Sequence, residues 1–209
     1  KGRAMAESGA VANMNILSSA RYARELTPTH IALTMSAGAP MAFDASAPPA
    51  FDASATYGSS TVAEAFRRSM GLQVESAEIV YLGLPRTLRA NDIQTLEGIP
   101  GALGQSIEDA GGATAALGNS DGGVIVGEPI RSRPAAVLAM NTNGLVRHGD
   151  VSLNMTEEDV EAPFGIRTDV EHMQSVYRKV LRQMAATDGP DLVVIDTGDG
   201  ERAYRFAPD

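Results

Sequence analysis

Short apolar runs rich in β-branched residues alternate along the chain with stretches whose apolar positions recur every three or four residues. That alternation is the signature of βαβ units, and it predicts an α/β fold with a mostly parallel sheet flanked by helices. The pattern predicts an opening helix to Ser8, a short strand from Val11 to Ile16, and a helix starting at Thr27 or Pro28. Proline suits a first helical turn, where its missing N–H is no loss. Helices are predicted from Thr61 to Met70 and from Ile99 to Ala110, with strands at Ala77 to Gly83, Thr114 to Leu117 and Ala135 to Met140. Asn143-Gly144 reads as a tight turn feeding Leu145 and Val146. The best helical pattern runs from Thr168 to about Met184, with Thr168 and Glu171 as a capping box and Val170, Met173, Tyr177, Val180 or Leu181, and Met184 on one face. After a stop at Asp188-Gly189-Pro190, the wholly apolar Leu192 to Ile195 reads as a strand buried on both faces.

Between these elements, Ala39 to Ser60 is rich in Ala, Ser, Pro and Gly and reads as a long loop or lid. It contains Phe-Asp-Ala-Ser-Ala twice, at Phe43 to Ala47 and Phe51 to Ala55. The duplication fits either a binding element or slippage in a tolerant surface loop. The length of 209 residues suits one α/β domain over 1–209. A first residue Lys1 already inside a helical pattern reads as a processed or partial chain.

Composition narrows the classes of function. A net charge of -9, with 17 Lys and Arg spread along the chain, leaves no basic stripe for nucleic acid or an anionic membrane surface. No run approaches the ~18 apolar residues of a membrane span. With no cysteine there is no disulfide and no thiolate metal site.

The candidate chemistry lies after the strands, where ligands of open α/β sheets gather. Asp196-Thr197-Gly198-Asp199, Gly118-Asn119-Ser120-Asp121 and Asn141-Thr142-Asn143 are expected to share one rim. Asp196 and Asp199 are candidate ligands for a hard divalent cation, or parts of a solvated turn. Asn119 and Asp121 also read as turn formers. His148 with Asp150 is a proton-transfer pair or an exposed turn, and His30, His148 and His172 are not clustered in sequence.

The run Thr27-Pro-Thr-His-Ile-Ala-Leu-Thr-Met-Ser-Ala-Gly38 resembles the nucleophile segment of the alkaline phosphatase superfamily, including cofactor-independent phosphoglycerate mutases. Other pieces resemble, in the same order, a bacterial branch whose soluble domain is often linked to membrane segments. They are the stretches opening at Thr56, Leu82, Ile99, Ala116 and Pro163, and the final Asp191-Leu-Val-Val-Ile-Asp196. The resemblance implies a Thr27 or Thr29 nucleophile at a helix N-terminus, with Asp196 and Asp199 helping to hold Zn, Mn or Mg, while a threonine before Pro28 also reads as an N-cap.

The chain also departs from that pattern. The nucleophile column falls on Pro28, and Ala203 stands four residues after Asp199 where active members carry a metal-binding His. The expected function is therefore a non-catalytic structural or binding module, with protein partners in an extracytoplasmic, membrane-associated or multi-subunit assembly. The alternative is a metal-dependent phosphoester hydrolase or phosphotransferase using a threonine.

Overall fold

The computed structural model describes residues 27–74, 77–92, 98–125 and 128–207. The expected opening helix and the strand at Val11 to Ile16 lie outside these residues. The first described helix, α1, spans Pro28–Ala37. Thr27 caps it by accepting the His30 N–H at 3.2 Å, and Gly38 ends it in a left-handed conformation. The sequence expected from here a loop to Ser60. Instead the chain forms β1 (Ala50–Asp52), β2 (Thr56–Tyr57) and β3 (Ser60–Thr61) before α2 (Val62–Met70). Phe51, Ala53 and Ala55 pack against buried Val62 and Phe66, so this small-residue stretch has apolar contacts enough to be ordered.

β4 (Ile79–Tyr81), α3 (Leu84–Asn91), α4 (Ala102–Asp109) and β5 (Thr114–Leu117) follow. A ribbon of β6 (Val124–Ile125) and β7 (Glu128–Pro129) then leads to α5 (Pro134–Ala139). The strand expected at Ala135 to Met140 is thus a helix. Proline in its first turn and three alanines favour helix, and burial on nearly all sides removes the polar stripe that would have marked the period.

β8 (Leu145–Val146) and β9 (His148–Asp150) are separated only by Arg147. A 3₁₀ turn, the hairpin β10 (Thr156–Glu158) and β11 (Ile166–Thr168), α6 (Val170–Met184), β12 (Leu192–Ile195) and α7 (Asp199–Phe206) complete the order. The cap of α6 is Asp169, which accepts the His172 N–H at 2.8 Å, rather than Thr168. Thr168 ends β11, and its hydroxyl is used elsewhere.

The architecture is mixed α/β. One sheet has strand order β12-β5-β9 and is parallel; a second, β1-β4-β8, is antiparallel, as are the three short ribbons. The parallel character expected of the whole sheet is therefore confined, among the described residues, to three strands. The two larger sheets meet at Arg147, where β8 of one runs on into β9 of the other.

Period-two alternation assigns the faces. Ala116 and Val194, with Ile79 and Tyr81 of the other sheet, face a core built with α1 and α5. Ala115, Leu117 and Val193 face Met173, Val176, Val180 and Met184 of α6, while Val80 faces α2. Among the described residues no helix is long and apolar enough to cross a membrane.

Candidate functional site

In the parallel sheet Leu117 lies opposite both Asp150 and Ile195, so the chain leaves all three strands at one level. Gly118 makes the close crossing possible. Its φ is 109°, and a Cβ there would fall 1.7 Å from the Asp196 carbonyl oxygen. Asp196 to Asp199 and Gly118 to Asp121 therefore share a rim. The Asn141 cluster does not join them. Ser132 and Arg133 at the head of α5 bond into the rim, and Asn141 follows the other end of that helix, where it binds Glu108 at 2.9 Å.

Two buried arginines hold the rim together. Arg202, on α7, is 0% exposed. One guanidinium nitrogen donates to the carbonyls of Asn119 (2.8 Å) and Asp121 (3.2 Å). The other reaches the Thr168 hydroxyl (3.1 Å), the Thr197 carbonyl (3.0 Å) and Asp199 Oδ1 (2.7 Å). Arg133, 4% exposed, pairs with Asp121 and donates to the Val151 carbonyl.

Asp196 accepts the Ser120 hydroxyl on one oxygen and the Gly198 N–H on the other at 3.0 Å. Asp199 also accepts the Thr168 N–H at 3.0 Å. Partial burial opposes its charge, but Arg202 and Thr168 outweigh burial and hold its carboxyl below the usual range.

The sequence-predicted threonines sit on this same edge. Thr29 Oγ1 lies 3.4 Å from Ser132 Oγ, Ser132 N–H donates to Asp121 at 2.8 Å, and Ser120 N–H donates to the Ser132 carbonyl at 3.1 Å. Thr29 and Asp196 are thus connected through Ser132 and Ser120. Thr27, by contrast, has its hydroxyl engaged as the cap of α1.

The histidines are dispersed. His30 is buried, binds the Met41 carbonyl at 2.9 Å and stacks on Phe43. His148 Nδ1 is buried without a partner, and burial pushes the ring below its ordinary pKa, with Arg147 assisting. It is His172 of α6 that reaches Asp150, with Nε2 3.2 Å from Oδ2. Among the described residues no three Asp, Glu or His side chains form a group able to hold a metal ion.

A cleft of about 510 Å³ opens beside this rim, lined by Asp52, Glu78, Asp150, Ser152, Asn154 and Lys179 among others. Asp52 closes β1 and accepts the Val151 N–H at 3.2 Å. Burial, with the negative charge of Asp150 adding to it, pushes its carboxyl up to about 6. Asp150 accepts the Ser152 N–H at 2.8 Å. Glu78 has both oxygens engaged, by Gly149 N–H (2.8 Å), Lys179 (3.1 Å) and Gln183 (3.4 Å). Burial opposes its charge, yet these donors prevail and keep it below the usual range.

Sequence reasoning had passed over Asp52, Glu78 and Arg202. The repeat at Phe43 and Phe51 was the one signal near Asp52, and its two copies diverge. Asp44 turns back onto the Ser46 N–H at 2.9 Å, whereas Asp52 leaves a strand and faces the cleft. Comparisons of the chain with family models, curated proteins and solved structures found no match.

Proposed function

We propose that this chain is a non-catalytic α/β binding or structural module of alkaline phosphatase-like descent, serving an extracytoplasmic, membrane-associated or multi-subunit assembly. The observation that carries the reading is the occupation of the rim by Arg133 and Arg202. A two-metal phosphoryl-transfer site needs free carboxylates and imidazoles around two cations ~3.5 to 4 Å apart. Here guanidinium groups supply the positive charge, and Asp121, Asp196 and Asp199 are already engaged. A metal at Asp121 would have to strip that carboxylate from buried Arg133, a change that costs about 3 to 5 kcal/mol when the charge is left unpaired, and at Asp199 it would compete with Arg202.

Thr29, beside Ser132 on the same edge, is the feature that favours the phosphoester alternative. One experiment separates the two: melting temperature and turnover of an aryl phosphate with Mn²⁺, Zn²⁺ or Mg²⁺. The module reading expects neither a metal-dependent rise in Tm nor turnover. Turnover abolished by Thr29→Ala would replace it with the metal-dependent enzyme.

A further inference from the structure

The cleft between β1, β9 and α6 has two kinds of wall. One part of the lining carries Asp52, Asp150 and the Glu78–Lys179 pair; another is made of the small residues Ala53, Ala55 and Ala77. We propose that this cleft binds a primary alkylammonium group, its nitrogen between Asp52 and Asp150 and its alkyl stem along the alanines. The proposal deepens the binding-module reading and rests on it.

Charge sets the sign of the ligand. Lys179 is paired with Glu78 at 3.1 Å, and Arg133, a cation that acts on Asp52, is paired with Asp121. Asp52 and Asp150 thus repel one another, and among the described residues neither forms an ion pair with a Lys or Arg. Each gives one oxygen to a backbone N–H, at 3.2 Å and 2.8 Å, and Asp150 turns the other toward His172.

An ammonium ion supplies three charge-assisted donors and replaces this repulsion with two attractions. A divalent ion wants six or more oxygens or a compact set of carboxylates and imidazoles, and no such group of three converges among the described residues. A volume of about 510 Å³ is in the range of small-molecule sites and admits a stem of several methylenes. A lysine side chain of a partner and a free diamine share this chemistry.

The test is calorimetric titration of the chain with 1,5-diaminopentane and, in a second arm, Nα-acetyl-lysine methylamide, at pH 8 and pH 5. Both should bind at pH 8, and the tighter arm identifies a free amine or a peptide as the source. Affinity should fall as pH drops through about 6, where Asp52 takes up a proton. The groups facing Asp52 there are Asp150, backed by His172, and Arg133, with Glu78 and Lys179 further along the cleft.

Asp52→Asn and Asp150→Asn should each weaken binding about tenfold or more. Lys179→Met, which removes a cation from the cleft and leaves Glu78 unpaired there, should strengthen it. Asp52→Asn still offers an oxygen to Val151, and a melt recorded beside each titration separates lost binding from lost fold. Undiminished binding by both asparagine variants, or binding of inorganic phosphate by the parent chain that Lys179→Met abolishes, would overturn the proposal. No metal or phosphate ester enters the titration, so failed amine binding leaves the non-catalytic reading standing. Turnover in the metal assay would leave amine binding standing in turn.

Discussion

At the scale of single residues, Arg202 explains why Asp199 does not stand free. The sequence drew attention to the fourth position after Asp199, where the resemblance led to the expectation of a histidine and Ala203 stands, but the residue that organises the rim is one position earlier. Its importance rests on contacts with Asn119 and Asp121, more than 80 positions away along the chain, and no local spacing reveals those. Three backbone carbonyls and the Thr168 hydroxyl depend on its donors. Arg202→Met should therefore cost about 3 kcal/mol or more in urea unfolding, because buried acceptors lose their partners. Asp199→Asn should cost about 1 kcal/mol or less, since the Asp199 side chain is 51% exposed and the carbonyls still hold the guanidinium. Equal losses in the two variants would show that the ion pair, not the carbonyl cage, is what Arg202 provides.

At the scale of elements, legibility followed how locally each element is determined. The bounds of the strands Thr114–Leu117 and Leu192–Ile195 were readable to the residue, because short apolar runs between glycines, prolines and polar turns have few alternatives, but the second is a half-buried edge strand with Ile195 exposed rather than one buried on both faces. Helix α5 was not, because Pro134 to Ala139 is as apolar as a buried strand and too short to display a 3.6-residue period. That one error carried Asn141 to Asn143 onto a rim they do not reach.

The capping box of α2 lay unremarked in Thr61-Val-Ala-Glu64, yet both bonds form. Thr61 accepts the Glu64 N–H at 3.2 Å, and Glu64 accepts the Thr61 N–H at 3.1 Å. Thr61→Ala should destabilise the protein by about 1 kcal/mol, and Thr61→Ser should restore most of it. A thermal melt that leaves the alanine variant unchanged would mean that packing of Val62 and Phe66 alone holds the start of this helix.

At the scale of the whole molecule, the two larger sheets are joined through carboxylates as well as through Arg147. Asp52 of the antiparallel sheet accepts from Val151 beyond β9, and Glu78, beside β4, accepts from Gly149 within β9. These partners lie 99 and 71 positions apart, which is why the cleft was invisible in the sequence while the rim was partly foreseen. The two carboxylates pull stability in opposite directions with pH. Glu78 is held below its ordinary value, so its contribution is present above the unfolded pKa and is lost as pH falls through the lower folded one.

Asp52 is raised from 3.8 to about 6, so the folded state holds its proton more tightly. Its contribution is full below pH 3.8 and is lost as pH rises through about 6. The difference between those limits is on the order of 2 to 3 kcal/mol for a shift of this size in a mostly buried group. Unfolding free energy measured from pH 4 to pH 8 should therefore contain a component that declines between about 4 and 6 in the parent chain. Asp52→Asn should remove that component, so that the variant gains on the parent as pH rises to 8. The alkylammonium ligand proposed above should raise the parent at pH 8 and raise the variant less, because it stabilises the ionised carboxyl that the variant lacks. Parallel pH profiles for the two proteins would place the cost of Asp52 elsewhere than in its ionisation beside Asp150.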